Sequence, residues 1–172
     1  HNLEMRLREL SDTDQLTGLF NRRKLEHELA LHFESLARYS VPTSIFLLDL
    51  DNLKKVNDTK GHHVGDEMIQ VVANICRSAL RATDFACRLG GDEFVVALPN
   101  TGREQAIQFA KRLHDRFRKE LSQFSVEGTI VTASMGVTTM VPEDRSYEDT
   151  LQRADRALYE AKSMGKDRIV SA

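Results

Sequence analysis

The sequence predicts a central β-sheet covered by α-helices, an α/β (α+β sandwich) architecture in which at least part of the sheet is antiparallel. Two observations support this fold. Strand-like apolar segments alternate with amphipathic segments of helical period along the chain. Two of the strand-like segments, "DFACRL" and "EFVVAL", flank a Gly-Gly turn, which is typical of an antiparallel hairpin.

The first part of the chain predicts a helix that is separate from the main domain. In "LEMRLREL", Leu3, Leu7 and Leu10 recur at helical spacing. This pattern is typical either of the end of a coiled-coil stalk or of a frayed terminal helix. Because the chain does not start with Met, we expect a fragment in which residues 1–13 form this helix and residues 14–172 form the main domain.

Helices and strands alternate through the rest of the chain. A turn-rich connector leads to a helix that stops before Val41-Pro42, because a residue before proline disfavours helical geometry. Residues 45–48 are continuously apolar, which predicts a strand buried on both faces. The remaining elements are a helical segment from Asn52, a break at 61–63, a long helix over 65–81, the two hairpin strands, a helix over 102–121, a β-branched strand over 128–140, a helix over 146–165 and a short strand over 167–171.

Size and charge limit the domain count and the partners. The 172 residues suffice for one domain with a sizeable core. With 24 basic and 26 acidic residues the net charge is −2, which argues against a general nucleic-acid or membrane-surface binder. No apolar run approaches a membrane span, and we see no signal peptide. Cys76 and Cys87 lack metal-ligand spacing, so we expect two buried free thiols in a reducing compartment.

Acidic side chains follow the buried strand and occupy the hairpin tip. Asp49 ends the strand, and Asp92 and Glu93 follow the two glycines of the turn. If the strands are neighbours, three carboxylates converge and need a cation or shared protons. Hard divalent ions prefer oxygen ligands and substrate phosphates, and the glycines leave room for a phosphate. The alternative is structural: Asp49 and Asp51 cap the next helix, and Asp92 is a turn residue.

Three lysines are placed to neutralise an anion. Lys54 lies in the first turn of the helix after Asp51, where free N–H groups favour phosphate and a lysine is otherwise unfavourable. Lys162 and Lys166 are four residues apart at the end of the last predicted helix, where one face would direct both to the same anion. The alternatives are a solvated Lys54 and two lysines that interact only with the helix dipole.

Four sequence blocks resemble one known family. They are, in chain order, "DQLTGLFNRR", "DLDNLKKVNDTKGHHVGDEMI", "RLGGDEF" and "ADRALYEAKSMGKDRIV", and they extend from about residue 14 to residue 170. Together they resemble the GGDEF domain, the diguanylate cyclase domain of bacterial signalling proteins. The resemblance implies a mostly antiparallel sheet similar to the palm of nucleotidyl cyclases and polymerases. It also implies condensation of two GTP molecules into cyclic di-GMP and two pyrophosphates by a homodimer.

The resemblance implies roles for the residues that match its motifs. Asp49, Asp92 and the Leu50 carbonyl would hold Mg²⁺ or Mn²⁺, with Glu93 in support. The implied catalytic residues are Asp92, which would help to deprotonate the ribose 3′-hydroxyl, Glu93 and Lys54. The implied substrate-binding residues are Lys54, Lys162 and Lys166 for the phosphates, Asn57 and Asp66 for guanine, and Gly90 and Gly91 at the hairpin tip. Without the resemblance, Asp66 would be interpreted as a helix N-cap.

A second site is implied by "RATD", which stands five residues before the signature. It matches the family's Arg-x-x-Asp inhibitory site for cyclic di-GMP, with Arg81 and Asp84 as the named residues. Arg112 is our candidate for an additional arginine, with Arg116 behind it. The alternative is a surface salt bridge at a helix end.

The chain departs from the family pattern at a few positions, none of them a predicted metal ligand. Leu53 stands where Phe is usual, Lys166 where Arg is common, and Asp167 where Asn is usual. A metal site at His62 and His63 is disfavoured, because neither has a histidine partner one helical turn away.

Two functions from different classes are compatible with this sequence. The chain is an active cyclase, or it is a module that senses GTP or cyclic di-GMP without turnover. The intact "GGDEF" run favours the cyclase, because it retains both acids. We expect a bacterial cytoplasmic domain whose upstream sensor is absent from this fragment, and whose full-length protein could be attached to a membrane through absent regions.

Overall fold

Five strands and six α-helices make up the described part of the chain. The computed structural model describes residues 2–172, without the side chains of residues 8–10, so the predicted role of Leu10 lies outside the described side chains. The strands are β1 (Thr43–Asp51), β2 (Phe85–Gly90), β3 (Glu93–Pro99), β4 (Thr132–Thr139) and β5 (Ile169–Ser171). The helices are α1 (Asn2–Asp12), α2 (Arg22–Tyr39), α3 (Leu53–Lys60), α4 (His62–Ala79), α5 (Arg103–Leu121) and α6 (Tyr147–Ser163).

The strands form one mixed sheet in the order β2-β3-β1-β4-β5. The β2–β3, β3–β1 and β1–β4 pairs are antiparallel, and only the β4–β5 pair is parallel. Helix α6 connects the two parallel strands, as a crossover connection must. The prediction of a mostly antiparallel sheet flanked by helices is therefore confirmed.

Side chains that alternate along β1 face two separate cores. Phe46 and Leu48 belong to a core that includes residues of α4 and α5. Ile45 and Leu47 belong to a second core that includes residues of α2 and α6. This alternation has the period of two that an extended strand requires, and it confirms that β1 is buried on both faces.

Several helix and strand boundaries differ from the sequence-based expectation, among them those of α4, β4 and α6. Helix α4 begins at His62, because the break is confined to Gly61, whose φ is 90°. Strand β4 begins at Thr132 rather than near 128, because Val126 and Thr129 first exchange two backbone hydrogen bonds around a tight turn. Helix α6 ends at Ser163, two residues earlier than expected.

Both cysteines are buried free thiols, as predicted. Burial raises the pKa of Cys76 and of Cys87 to about 12, so neither thiol is a thiolate at neutral pH. Separately, none of the described helices combines the length and the apolar content that crossing a membrane requires.

Gly136 of β4 allows α6 to pack directly on the sheet. A Cβ atom at this position would lie 2.3 Å from the Ala154 carbonyl oxygen and 2.4 Å from the Leu158 nitrogen. Both contacts are with backbone, so α6 would have to move away from the sheet. We expect Gly136→Ala to lower the free energy of unfolding by about 1–3 kcal/mol, measured by urea denaturation.

Gly102→Ala is the matched control for this prediction. Gly102 precedes α5 with an ordinary φ of −82°, and a Cβ there meets nothing within 4 Å. The control should lower stability by no more than about 1 kcal/mol. Equal effects of the two substitutions would contradict the packing argument.

Candidate active site

The pairing of β1 with β3 brings the acidic residues of the hairpin to the end of β1. Asp49 lies opposite Glu93 in the antiparallel register, and the Leu50 N–H donates to the Asp92 carbonyl at 3.4 Å. The two strands are therefore neighbours, as the carboxylate hypothesis required. Glu93, however, is exposed, and residues 2–172 contain no group of three or more His, Cys, Asp and Glu side chains suited to hold an ion. The expected convergence of three carboxylates is wrong; Asp49 and Asp92 alone interact.

Asp49 is the most strongly perturbed acid of this pair. Burial, followed by the hydrogen bond and charge of the neighbouring Asp92 carboxyl, raises its pKa to about 7, although Lys162 opposes the shift. Its Oδ1 atom is buried and has no hydrogen-bond partner among the described residues. A buried oxygen without a donor is unfavourable unless a cation or a proton satisfies it. Asp49 and Asp92 therefore fit a hard divalent ion, with the adjacent Leu50 carbonyl as a further oxygen ligand.

Lys162 lies between two carboxylates. Its Nζ is 2.9 Å from Asp51 Oδ1 and 3.2 Å from Asp49 Oδ2. Burial alone would lower the pKa of Lys162, but the bonds and charges of Asp51 and Asp49 outweigh it and raise that pKa above its ordinary value. Lys162 is therefore a charged counterion of Asp49 and Asp51.

Asp51 is a buried acceptor and not a helix cap. Its carboxylate accepts from Thr132 Oγ1 at 2.8 Å, from Ser134 Oγ at 2.9 Å and from the Asp167 N–H at 3.1 Å, in addition to Lys162. The position before α3 is occupied by Asn52, which makes no side-chain capping bond. The alternative in which Asp49 and Asp51 cap this helix is therefore wrong.

A cavity of about 350 Å³ adjoins the hairpin tip, and we call it the hairpin cavity. It brings together four of the predicted site residues: Leu50, Lys54, Asp92 and Lys166. The other lining residues, which the sequence-based analysis did not assign to a site, are Asn52, Leu53, Lys55 and Asp58. Three lysines and two carboxyl groups line this cavity beside the first turn of α3, and such a lining is suited to bind an anion together with a metal ion.

Lys166 reaches this cavity from a loop and not from α6. The helix has ended at Ser163, and Lys166 itself has a left-handed φ of 65°. Its Nζ is 3.4 Å from Asn52 Oδ1. The expectation that Lys162 and Lys166 share one helical face is therefore wrong, and the two ammonium groups reach different partners.

Asn57 and Asp66 lie on consecutive helices outside the lining of the hairpin cavity. Asp66 is an exposed residue within α4, whose N-cap is Gly61, so the N-cap interpretation of Asp66 is wrong. Gly65, the residue before it, lies against the Asn57 side chain: a Cβ on Gly65 would be 1.8 Å from Asn57 Oδ1. The absence of a side chain at Gly65 therefore leaves room for the Asn57 amide to pack against α4.

Two glycines and one arginine shape the hairpin tip. Gly90 and Gly91 have φ values of 143° and 54°, which favour glycine, and a Cβ on either would meet no atom within 4 Å. Arg88 Nε and Nη2 donate to the Gly91 carbonyl at 3.0 and 2.9 Å, and its Nη1 donates to Asp14 Oδ1 at 3.2 Å. The sequence-based analysis missed Arg88, although an arginine in an otherwise apolar strand was a usable signal.

Arg81 and Arg112 line a second cavity, of about 790 Å³, which we call the Arg81 cavity. Arg81 Nε and Nη2 bind the two oxygens of the buried Asp84 carboxylate at 3.0 and 2.9 Å. Arg81 and Asp84 therefore form the salt bridge that was the alternative interpretation. This salt bridge is compatible with a ligand site in the adjacent cavity, because Arg81 also lines that cavity. Arg116 donates to Ser78 Oγ and does not line the cavity.

Comparison with known proteins gives a consistent family. The model for "Diguanylate cyclase, GGDEF domain" matches residues 11–168. The chain is 40% identical over 174 residues to the response regulator PleD of Caulobacter vibrioides, covering 99% of this chain and 38% of that protein. The structure of diguanylate cyclase SiaD from Pseudomonas aeruginosa, in complex with its activator SiaC, has a TM-score of 0.87 at 40% identity, covering 99% of this chain and 65% of SiaD.

A third similar structure contains a ligand. The coiled coil and GGDEF domain of DgcB from Caulobacter crescentus, in complex with c-di-GMP, has a TM-score of 0.91 at 27% identity and covers 99% of this chain and 91% of that one. The fold and the two-carboxyl site define a class of α+β domains that carry acidic residues at the tip of a β-hairpin. Within that class, the chain belongs to the GGDEF domain family of diguanylate cyclases.

Gly65 and Asn57 provide a test of the close helix contact at the candidate site. In the Asn57→Ala background, Gly65→Ala should stabilise the protein by up to about 1 kcal/mol, because alanine favours a helix over glycine. In the wild-type background the Asn57 amide occupies the position of the new methyl group, so this gain should be lost or reversed. Urea denaturation of the four proteins gives the coupling energy, which we expect at about 0.5–3 kcal/mol. Additive effects would contradict the contact.

Proposed function

We propose that this chain condenses two molecules of GTP into cyclic di-GMP and releases two pyrophosphates. The observation that carries this proposal is the Asp49–Asp92 pair beside the hairpin cavity, with Lys54 and Lys166 in the cavity wall. Membership of the diguanylate cyclase family supports the same reaction. The chain spans 38% of the length of PleD. The activity of any longer protein that contains this domain is therefore also a proposal.

The reaction requires charge neutralisation around a triphosphate. Mg²⁺ or Mn²⁺, held by Asp49, Asp92 and the Leu50 carbonyl, would neutralise the phosphates and the departing pyrophosphate. Each ribose 3′-oxygen attacks an α-phosphorus, a P–O bond to pyrophosphate breaks, and the hydroxyl proton passes to a carboxylate, for which we propose Asp92. Two such steps close the ring, and Glu93 supports the acidic site from the start of β3.

In this proposal the lysines bind the phosphates of GTP, and side chains of α3 and α4 bind its guanine base. Lys54 and Lys166 contact the phosphates directly from the cavity wall, whereas Lys162 acts from below as the counterion of Asp49. Gly90 and Gly91 leave the hairpin tip free of side chains, which permits close approach of a phosphate.

Asn57 and Asp66 are proposed to bind the guanine base. A carboxylate accepts both N1–H and N2–H₂ of guanine, and adenine offers no such pair of donors. Adenine would leave the Asp66 carboxylate without its partners, which gives selectivity.

One domain holds one GTP, so we propose that two copies face each other during the reaction. A twofold arrangement brings each 3′-hydroxyl to the α-phosphorus bound by the other copy. Leu3 and Leu7 of α1 are 71% and 56% exposed, which is compatible with a helix that pairs with a second copy. An upstream sensor that sets this pairing, and a cytoplasmic location with access to GTP, are parts of the same proposal.

The Arg81 cavity is proposed to bind cyclic di-GMP as an inhibitor. Arg81 and Arg112 supply bidentate donors for phosphate or a guanine edge, and Phe109 supplies an aromatic surface. The Arg112 guanidinium lies 5.7 Å from the centre of the Phe109 ring. The c-di-GMP complex of the DgcB domain supports the presence of a product site on this fold. We place that site at Arg81 because of the Arg-x-x-Asp motif.

Asp92→Asn tests the proposed chemistry. We expect product formation to fall by roughly 100-fold or more, because the substitution removes both a metal ligand and a proton acceptor. The measurement is chromatographic detection of cyclic di-GMP after incubation with GTP and Mg²⁺ at several protein concentrations. The control is Asp155→Asn, which removes an exposed acid of α6 and should leave the rate unchanged.

Two outcomes would contradict the proposal. Wild-type protein that binds GTP but forms no product at any concentration would favour a sensing module. Full activity of Asp92→Asn would contradict the metal assignment.

Arg112→Ala and Arg81→Ala test the proposed inhibitory site. Both should retain the initial rate while the concentration of cyclic di-GMP that halves it rises roughly 10- to 100-fold, because a charge-assisted contact is lost. Arg112→Ala is the cleaner variant, since it leaves the Arg81–Asp84 pair intact. Unchanged inhibition in both variants would place the inhibitory site elsewhere.

A further inference from the structure

Two consecutive residues of the loop after α6 adopt a backbone conformation that side chains rarely tolerate. Lys166 and Asp167 have φ values of 65° and 51°, and neither is glycine. Each such residue carries a conformational penalty of order 1 kcal/mol, so the surroundings must fix the conformation. Lys166 is also the residue of this loop that lines the hairpin cavity.

Backbone contacts hold the base of this loop. The Lys166 N–H donates to the Ala161 carbonyl at 3.0 Å, and the Asp167 N–H donates to Asp51 Oδ2 at 3.1 Å. Arg168 Nε donates to the Lys166 carbonyl at 3.0 Å. These contacts fix the chain path, but none of them involves the Asp167 side chain.

The Asp167 carboxylate makes a separate contact with α5. Arg118 binds it with two parallel hydrogen bonds, Nε to Oδ1 at 3.1 Å and Nη2 to Oδ2 at 2.8 Å. His114 Nε2 also lies 3.0 Å from Oδ1, although its N–H is not aligned for a hydrogen bond. Asp167, the residue next to Lys166, is thus bound to α5.

We propose that Asp167 and Arg118 are positioning residues that direct Lys166 into the hairpin cavity. This inference rests on the proposed function, in which Lys166 binds the triphosphate. The bidentate Arg118–Asp167 pair opposes rotation of the loop, so the Lys166 ammonium group is held on the cavity side before a nucleotide arrives. Binding then requires less ordering of a long side chain, which increases affinity.

The effect should be small but measurable. Arg118 is about half exposed, so its ion pair stabilises the fold by no more than a surface pair does. We expect Arg118→Gln and Asp167→Asn each to weaken binding of a GTP analogue with sulfur on the α-phosphate by roughly twofold to fivefold. Isothermal titration calorimetry of the 172-residue chain with Mg²⁺ measures this. Asparagine suits position 167, because it tolerates the left-handed conformation.

A matched control comes from another exposed arginine pair. Arg145 binds Asp149 with two hydrogen bonds at 3.1 and 3.2 Å on the opposite end of α6. Arg145→Gln removes an equivalent ion pair, and it should leave the affinity unchanged. Melting temperatures of all variants verify that each is folded.

Combination with Lys166→Met separates positioning from a general structural effect. If Arg118 acts through Lys166, Arg118→Gln should cause no further loss of affinity in the Lys166→Met background. An equal loss in both backgrounds would overturn the inference, as would wild-type affinity of Arg118→Gln. Absence of analogue binding by the wild-type chain would overturn the proposed function and this inference together, which distinguishes the two failures.

Discussion

The buried ion pair between Asp51 and Lys162 is the interaction on which the candidate site depends. The Asp51 side chain has no exposure to solvent, and an unpaired carboxylate in such a position would be strongly unfavourable. Its donors come from β4, from α6 and from the loop after α6. Removal of one partner of a buried pair typically costs about 3–5 kcal/mol, because the other charge remains buried. The Asp51 carboxylate therefore fixes the positions of these three segments relative to the end of β1.

Asp49 illustrates how the same surroundings oppose stability and favour function. Its burial and its proximity to Asp92 raise the pKa to about 7, so ionisation of Asp49 near neutral pH occurs at the expense of folding free energy. A purely structural position would favour a neutral side chain. Perturbed acids of this kind are concentrated at sites where a ligand supplies the missing charge.

Periodic patterns and turn chemistry predicted the fold from the sequence. The continuous apolar run of β1, the glycine pair between β2 and β3, and the helical periods all reflect local rules, and each recurred in the structure. The convergence of Asp49 with Asp92 also followed, because a buried strand and a hairpin tip are natural neighbours. Side-chain positions were harder to predict from the sequence where contacts with distant residues determine them.

Three site residues show why local rules were insufficient. A helix cap was the local alternative for Asp51, but its partners Thr132 and Lys162 lie far along the chain, and no local pattern indicates them. Lys166 followed an unbroken helical spacing, but the helix ends earlier, and the Lys166 N–H bonds to the Ala161 carbonyl instead. Gly65 influences Asn57 only because two helices touch there. Tertiary contact therefore decides the placement of Asp51 and Asn57, whereas a local turn ends α6 before Lys166.

The β2–β3 hairpin borders both cavities. Its tip contributes Asp92 to the hairpin cavity, and its opposite end contributes Leu98 to the Arg81 cavity, where Arg81 also contacts the Pro99 carbonyl. Strands of six and seven residues span roughly 20 Å at 3.3 Å per residue. A single-residue insertion or deletion within β3 would reverse the facing of the side chains on one side of it, and would thereby change the position of Leu98 relative to Asp92. Change in this hairpin is therefore expected to proceed by replacement of residues at constant length, while length variation is confined to loops elsewhere.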